Sequence, residues 1–225
     1  RGFKTLINIW GADHHGHVAR MKKAMEAIGY EGDRLEVILM QLVRLFKDGE
    51  ILRMSKRTGT YVTLEELLAE VGVDAARYFF VMRNPNSHLD FDLDLAKSES
   101  NDNPVYYIQY AHARICSILR NSDKDITEYL DEEKVSLSLK IEKELALKIG
   151  ELEKVLIEAG TRREPYKIAA YALELATLFN QFYSSCRVLN EEESIKKNRL
   201  KLIMAAKYAL ENVLKILGVR APERM

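Results

Sequence analysis

The stretch Thr5-Leu6-Ile7-Asn8-Ile9-Trp10-Gly11-Ala12-Asp13-His14-His15-Gly16-His17 decides how the first part of the chain folds. Residues 4–10 are a short, almost continuously apolar run, the pattern of a strand buried in a parallel sheet. A polar turn over 11–17 follows it directly. Residues 18–28 then place Val18, Met21, Met25 and Ile28 on one helical face, with Gly29 as the stop. Strand, polar turn and helix make half of a βαβ unit, and ligands in such sheets sit beyond the carboxyl ends of the strands. The turn at 11–17 therefore falls where a site is expected.

Working outward, residues 35–46 (LEVILMQLVRLF) can be read as strand or helix; being rich in β-formers and closed by the Asp48-Gly49 turn, they are expected to form a strand. A second short strand over 50–54 would deliver Arg53-Met54-Ser55-Lys56-Arg57-Thr58-Gly59. There, three cations at 53, 56 and 57 flank one small hydroxyl, and a Gly closes the segment. A loop of that composition can set a Lys ammonium and backbone N–H groups against a phosphate chain. A basic surface turn has the same letters. Thr63-Leu64-Glu65-Glu66 reads as a capping box that starts a helix, and Gly72 as its stop. A further helix over about 74–82 carries Ala75, Phe79 and Met82 on one face and is broken by Asn84-Pro85-Asn86-Ser87.

Residues 97–103 (KSESNDN) are polar and mark a boundary, after which Asn103-Pro104 suits an N-cap followed by Pro in the first helical turn. Beyond it the periodicity is helical to the end. Val105, Ile108, His112, Ile115 and Leu119 share one face, as do Ile141, Leu145, Ile149, Leu152 and Leu156. A helix beginning near Pro165 carries Ile168, Ala172, Leu175, Phe179, Phe182 and Cys186. The last carries Ile203, Ala206, Leu210, Val213 and Leu217, stopped by Gly218. Spacings of three and four throughout predict an all-α bundle. The fold class is thus α/β followed by all-α.

The 225 residues hold 34 basic and 34 acidic side chains, so the formal net charge is zero. That balance argues against a protein that coats nucleic acid by bulk electrostatics, although a local basic patch still acts within about a Debye length. Cys116 and Cys186 are far apart and fit no zinc spacing, so free thiols of a reducing cytosol are the expectation. No apolar run reaches the roughly 20 residues of a membrane span. The chain begins at Arg1, without an initiator Met, and enters at once into a buried-strand pattern. It is expected to be a piece of a longer protein.

Asp13, His14, His15 and His17 admit several chemistries. Their donor density invites zinc or manganese, yet nothing nearby completes a metal site. The Asp-His-His run is the letter pattern of a phosphoesterase, a chemistry that needs further Asp ligands. In a nucleoside pocket, Gly11 would let the backbone approach the ligand while Asp13 accepts hydrogen bonds from ribose hydroxyls. A polar turn with one His packed under the sheet is the plain alternative. In the run from Pro104 to Arg114, Tyr107, Tyr110 and Arg114 share a helix face offset from the apolar stripe. Aromatics beside an Arg suit stacking on unpaired bases, although helical Tyr rings more often pack the bundle with their hydroxyls at its edge.

Taken together and in this order, these segments resemble arginyl-tRNA synthetases, class I aminoacyl-tRNA synthetases, across essentially the whole chain. Met54-Ser55-Lys56-Arg57 looks like the family's Lys-Met-Ser-Lys loop, with Arg53 where the first Lys usually sits. Trp10 to His17 looks like its second nucleotide-side segment. Asp74-Ala75-Ala76-Arg77 is similar to the Asp-Ala-Leu-Arg signature, with Ala76 in place of Leu, and Asn103 to Arg114 to the start of the all-helical anticodon-binding domain. The ending from Leu217 to Met225 is similar to the family's own carboxyl terminus, which implies a natural end. His14-His15-Gly16-His17 matches the family's His-Ile-Gly-His signature only by letter, because that signature belongs far upstream of the Lys-Met-Ser-Lys loop.

The resemblance implies the carboxyl-terminal part of a Rossmann-like nucleotide-binding catalytic domain over 1–62. It implies a small helical connector that contacts the tRNA stem over 63–100, and an α-helical bundle anticodon-binding domain over 101–225. It implies ATP, with Mg2+, and L-arginine as substrates, the tRNA for arginine as partner, no structural metal, no membrane, a cytoplasmic location and a monomer. Lys56, Arg53 and Ser55 would act in catalysis, Lys56 by stabilising charge on the β- and γ-phosphates. An Arg at 53 keeps the charge of the usual Lys but changes its geometry. Gly11, Asp13, His14, His17 and Met54 would hold the nucleotide. Tyr107, Tyr110, Arg114 and Met225 would contact tRNA. Most of the arginine pocket would lie upstream, so these residues alone are expected not to turn over.

Overall fold

In a computed structural model of the chain, residues 2–52, 62–122 and 135–225 are described. The basic loop that holds Arg53, Met54, Ser55 and Lys56 lies outside the described residues. The chain forms two compact units, one of residues 1–61 and 83–93 and the other of 62–82 and 94–225.

The first unit opens with β1 (Leu6–Gly11), a six-residue 3-10 turn (Ala12–His17) and α1 (Val18–Ala27), and returns through β2 (Leu35–Met40). β1 and β2 pair in parallel, Leu6 opposite Leu35 through Gly11 opposite Met40. This is the expected βαβ unit. Its strand β1 is not deeply covered, since Ile7 and Ile9 are 45% and 63% exposed.

The run 35–46 is not one strand. It divides after Met40, and β3 (Val43–Lys47) belongs to a different sheet. The backbone N–H of Gln41 donates to Pro85 O at 2.8 Å instead of to a ladder partner, and Leu42 turns out to solvent. Apolar continuity hid this break, because a run of β-formers does not reveal which sheet each half joins. β3 pairs antiparallel with β4 (Glu50–Ile51), through a tight turn in which Asp48 and Gly49 both take positive φ. Two such residues in succession favour the primed turns that match strand twist. On its other side β3 runs parallel to β5 (Leu89–Asp92), a strand absent from the sequence reading. Arg44 sits opposite Asp90 and grips it with two bonds, Nε to Oδ1 at 2.7 Å and Nη2 to Oδ2 at 2.9 Å.

The second unit starts with α2 (Leu64–Val71). Thr63 Oγ1 accepts from the Glu66 N–H while Glu66 accepts from the Thr63 N–H, the expected reciprocal cap. Those bonds from Thr63 hold the Glu66 carboxyl below its usual range. Gly72, at φ 78°, turns the chain into α3 (Val73–Val81). After the short α4 (Leu93–Lys97), Asn103 caps α5 (Pro104–Arg120) by accepting from the Val105 N–H, and its amide donates to Ala96 O and Ser98 O.

The bundle continues with α6 (Lys140–Gly150), α7 (Leu152–Arg162), α8 (Tyr166–Ser185) and α9 (Glu193–Leu217). The apolar stripe over 141–156 is thus two helices, separated at Glu151, with Gly150 ending the first. The stripe continues across the break because Glu151 keeps a helical conformation and its N–H bonds both Leu147 O and Lys148 O. α8 is the centre: it packs on α5, α6, α7 and α9. Its buried Ile168, Leu175, Phe179 and Phe182 supply volume, while Ala169, Ala172 and Ala176 let neighbours come close. Tyr78 of α3 is buried and donates to Ala169 O at 2.9 Å, tying α3 to that centre.

One polar cluster inside the bundle joins three segments. Arg199 on α9 donates to Glu142 on α6 at 2.7 Å, to Arg187 O at 2.6 Å and to Glu191 at 3.2 Å. Glu142 also accepts from the N–H groups of Ser138 and Leu139, capping the start of α6. Burial would raise the Glu142 carboxyl, but these N–H groups and the guanidinium outweigh it and hold the group low.

Candidate nucleotide hollow and RNA cleft

In the first unit, an open hollow of about 400 Å³ lies at the carboxyl end of β1, lined by Trp10, His14, His17 and Met21. β1 supplies Trp10, the 3-10 turn both His, and α1 Met21. The rings of His14 and His17 face each other at 6.0 Å and 56°. Gly11 and Asp13 are not in that lining, but Asp13 Oδ2 lies 3.6 Å from His14 Nε2. Asp13 also folds back over Gly11: a Cβ there would meet Asp13 Oδ1 at 2.5 Å. His15 is turned to Ala12 O, at 3.3 Å, leaving His14 and His17 as the two that face the hollow. Among the described residues no three His, Cys, Asp or Glu side chains gather as metal ligands. Trp10 and Met21 were not among the candidate residues. The spacing 14, 17, 21 is helical and could have added Met21.

In the second unit, a cleft of about 470 Å³ lies between α5, α8 and the chain's end. Tyr110, Ala113, Arg114, Ser117 and Arg120 come from α5, Tyr183 from α8, and Glu223, Arg224 and Met225 from the tail. Three Arg side chains against one Glu make this a locally cationic wall in a chain of zero net charge.

Arg114 is its central group. Its guanidinium lies 4.6 Å from the Tyr110 ring centroid and 4.8 Å from that of Tyr183, and Nη1 donates to Asn180 Oδ1 at 3.0 Å. Such contacts are worth about 0.5–2 kcal/mol each, depending on exposure. Tyr110 is stacked in turn on Tyr106, at 6.0 Å and 6°. A flat, braced column of aromatic and guanidinium planes therefore forms one side of the cleft. Of the expected tRNA-contact residues, Tyr110, Arg114 and Met225 are brought together, whereas Tyr107, one turn before the cleft, is not in its lining. Tyr183 went unseen because it stands on a helix some 70 residues away, beyond the reach of a local pattern. Asn180 and Tyr183, polar groups at i and i+3 on one side of the helix, were the available signal.

The tail reaches the cleft along α5. α9 ends in a nested pair of backbone bonds, Gly218 N–H to Lys215 O and Val219 N–H to Leu214 O, with Gly218 at φ 70°. Arg77 on α3 donates to Leu217 O at 2.9 Å. His112, buried on α5, lies 2.8 Å from Pro222 O, and Arg120 donates to Glu223 O at 3.0 Å. Burial pushes the His112 imidazole below its ordinary pKa, so the neutral ring with a proton on Nδ1 serves this bond. No helix among the described residues is long and apolar enough to cross a membrane.

Residues 108–225 match the model of the DALR anticodon binding domain. The arginine–tRNA ligase of Moorella thermoacetica is 58% identical over 228 residues, and that of Heliobacterium modesticaldum 55% over 232. Each match covers 100% of this chain and 41% of the relative, so the chain spans about two fifths of the relatives' length. Among solved structures, a Campylobacter jejuni protein assigned as an arginyl-tRNA synthetase superposes with a TM-score of 0.91 at 36% identity, over 100% of this chain and 49% of that one. The Thermus thermophilus arginyl-tRNA synthetase gives 0.76 at 25% identity, over 99% and 41%. With just over half of its residues inside the domain match, the chain belongs to the DALR anticodon binding domain family.

Proposed function

We propose that this chain is the part of an arginine–tRNA ligase that reads the anticodon loop and helps to hold ATP. The observation that carries the reading is the cleft on α5, where Arg114 lies between the Tyr110 and Tyr183 rings beside Arg120, Arg224 and Met225. Unpaired bases are recognised by stacking on aromatic or guanidinium planes, with nearby cations taking the phosphates. Residues 101–225 act as the anticodon-binding domain. Tyr107 lies a turn away from the cleft and would contact the loop only at its edge.

The hollow at Trp10, His14, His17 and Met21 takes the adenosine of ATP, with Gly11 and Asp13 at the neighbouring turn. ATP enters as its Mg2+ complex. Lys56, with Arg53, Ser55 and Met54, stabilises the charge that builds on the β- and γ-phosphates as the arginine carboxylate attacks the α-phosphate and pyrophosphate leaves. The arginyl group then passes to a ribose hydroxyl at the tRNA 3′ end. The whole reaction belongs to the full length of the relatives, and the protein acts in the cytoplasm as a monomer.

The test is binding of this chain to an arginine tRNA transcript and to one with an altered anticodon, at one fixed salt concentration, because phosphate contacts alone change affinity steeply with salt. Tighter binding to the first is expected. Tyr110→Ala should reduce that preference by about 1–3 kcal/mol, the worth of one base stack, and Arg114→Ala by a comparable amount. Equal, weak binding of both transcripts would remove the anticodon reading.

A further inference from the structure

The cleft's third wall is a short tail, residues 223–225, and nothing in their sequence fixes them there. What holds them is upstream. Asp74 on α3 is buried, and its Oδ1 accepts from the Arg220 N–H at 3.1 Å while Oδ2 accepts from Arg220 Nε at 2.8 Å. Gln109 on α5 is also buried. Its Nε2 donates both to Asp74 Oδ2, at 3.0 Å, and to Arg220 O, at 2.9 Å. Both polar groups of the Arg220 peptide are thus captured by a carboxylate and an amide that also bind each other.

The next holds follow in order along the same helix: His112 at Pro222 and Arg120 at Glu223. Numbers rise together on both partners, so the tail runs parallel to α5. Gln109 and His112 stand on a stripe beside the one that carries Tyr110, Ala113, Arg114 and Ser117 into the cleft, and Arg120, farther along, lines the cleft as well. A tail fixed at Arg220 and led along this stripe ends beside Arg114.

We infer that Asp74 and Gln109 are positioning residues for RNA selectivity: by clamping the Arg220 peptide they set where Arg224 and Met225 stand in the cleft. This rests on the reading of the cleft as an RNA site. Neither residue reaches the cleft itself, so both act through the tail. Lost positioning makes the last residues mobile, and ordering them then costs free energy at each binding event. The two residues belong to one device with Met225, and residues in one device show coupled, non-additive effects.

A double-mutant cycle tests this, with the 225-residue chain and the cognate and altered transcripts used above. Gln109→Ala should weaken cognate binding by about tenfold and shrink the preference over the altered transcript, whereas in a Met225→Ala background the same change should cost less than about twofold. Arg220→Ala, whose side chain is 87% exposed and so carries little folding risk, should move binding in the same sense by a smaller factor. A merely structural role would lower thermal stability without coupling to Met225. Effects of Gln109→Ala and Met225→Ala that multiply in full, or unchanged binding by Gln109→Ala and Arg220→Ala, would overturn the inference while leaving the cleft in place. Failure of the unaltered chain to discriminate the transcripts would remove the cleft reading, and this inference with it.

Discussion

The hollow of the first unit and the cleft of the second are built in opposite ways. Trp10, His14, His17 and Met21 are placed by backbone alone, a strand, a six-residue turn and a helix, and the few side-chain contacts around them are exposed. In the cleft, every wall is tied by side chains that cross between elements: Arg114 to Asn180, Arg120 to Glu223, and Gln109 to Asp74 and the tail. A site placed by backbone tolerates local change. One that is tied from several helices transmits damage from a distance.

The largest effect should come from the buried cluster under α6 and α9. Arg199→Ala leaves Glu142 without its cation at 3% exposure, and breaking such a pair costs about 3–5 kcal/mol. Urea unfolding should show a lowered midpoint for the helical unit and an unchanged one for the βαβ unit. Equal shifts in both would erase the contrast between the two regions.

Two glycines set the comparison at single-residue scale. Gly218→Ala must both keep a positive φ and push a Cβ against the Arg77 guanidinium, itself held on Leu217 O. A cost of about 1–3 kcal/mol is expected, seen as a drop in thermal midpoint. Its counterpart Gly11→Ala also meets a side chain, but that chain is Asp13, 80% exposed and free to swing away. Here the change in midpoint should stay within about 0.5 kcal/mol. A large cost at Gly11 would mean that the hollow is as tightly tied as the cleft.

Between these two lies a pH effect confined to the cleft side. The folded pKa of His112 is lowered, chiefly by burial, so below the unfolded value of about 6.5 the unfolded chain takes up a proton that the folded one does not. The stabilising contribution is therefore present above that pH and is lost on acidification, at up to about 1.4 kcal/mol per pH unit. Unfolding midpoints at pH 7.5 and 5.5 should diverge for the unaltered chain and converge for His112→Gln. Parallel behaviour of the two chains would show that the ring is not held neutral.

What the sequence made legible follows the same division. Helix faces, the Thr63–Glu66 cap, the Asn103 cap and the Asp48-Gly49 turn were readable because each is a local rule about neighbours no more than four residues apart. The division of 35–46 between two sheets was not, because the partner that draws off Gln41 is Pro85. In the cleft, Tyr110 and Arg114 were readable from one helix, but Tyr183 and the holds of the tail join residues 69 to 146 positions apart. Gln109 and His112 were visible as polar residues among buried apolar ones, and their use became clear only once the tail lay across them.

Cys116 stands one turn beyond His112 on the same helix, with its sulfur 3.8 and 3.9 Å from the two ring nitrogens. Burial raises its thiol pKa, so the reactive thiolate is scarce in the folded helical unit. Alkylation at that sulfur then reports how often the unit opens around it. The protein carries its own chemical clock for that opening, readable by mass spectrometry without any added label.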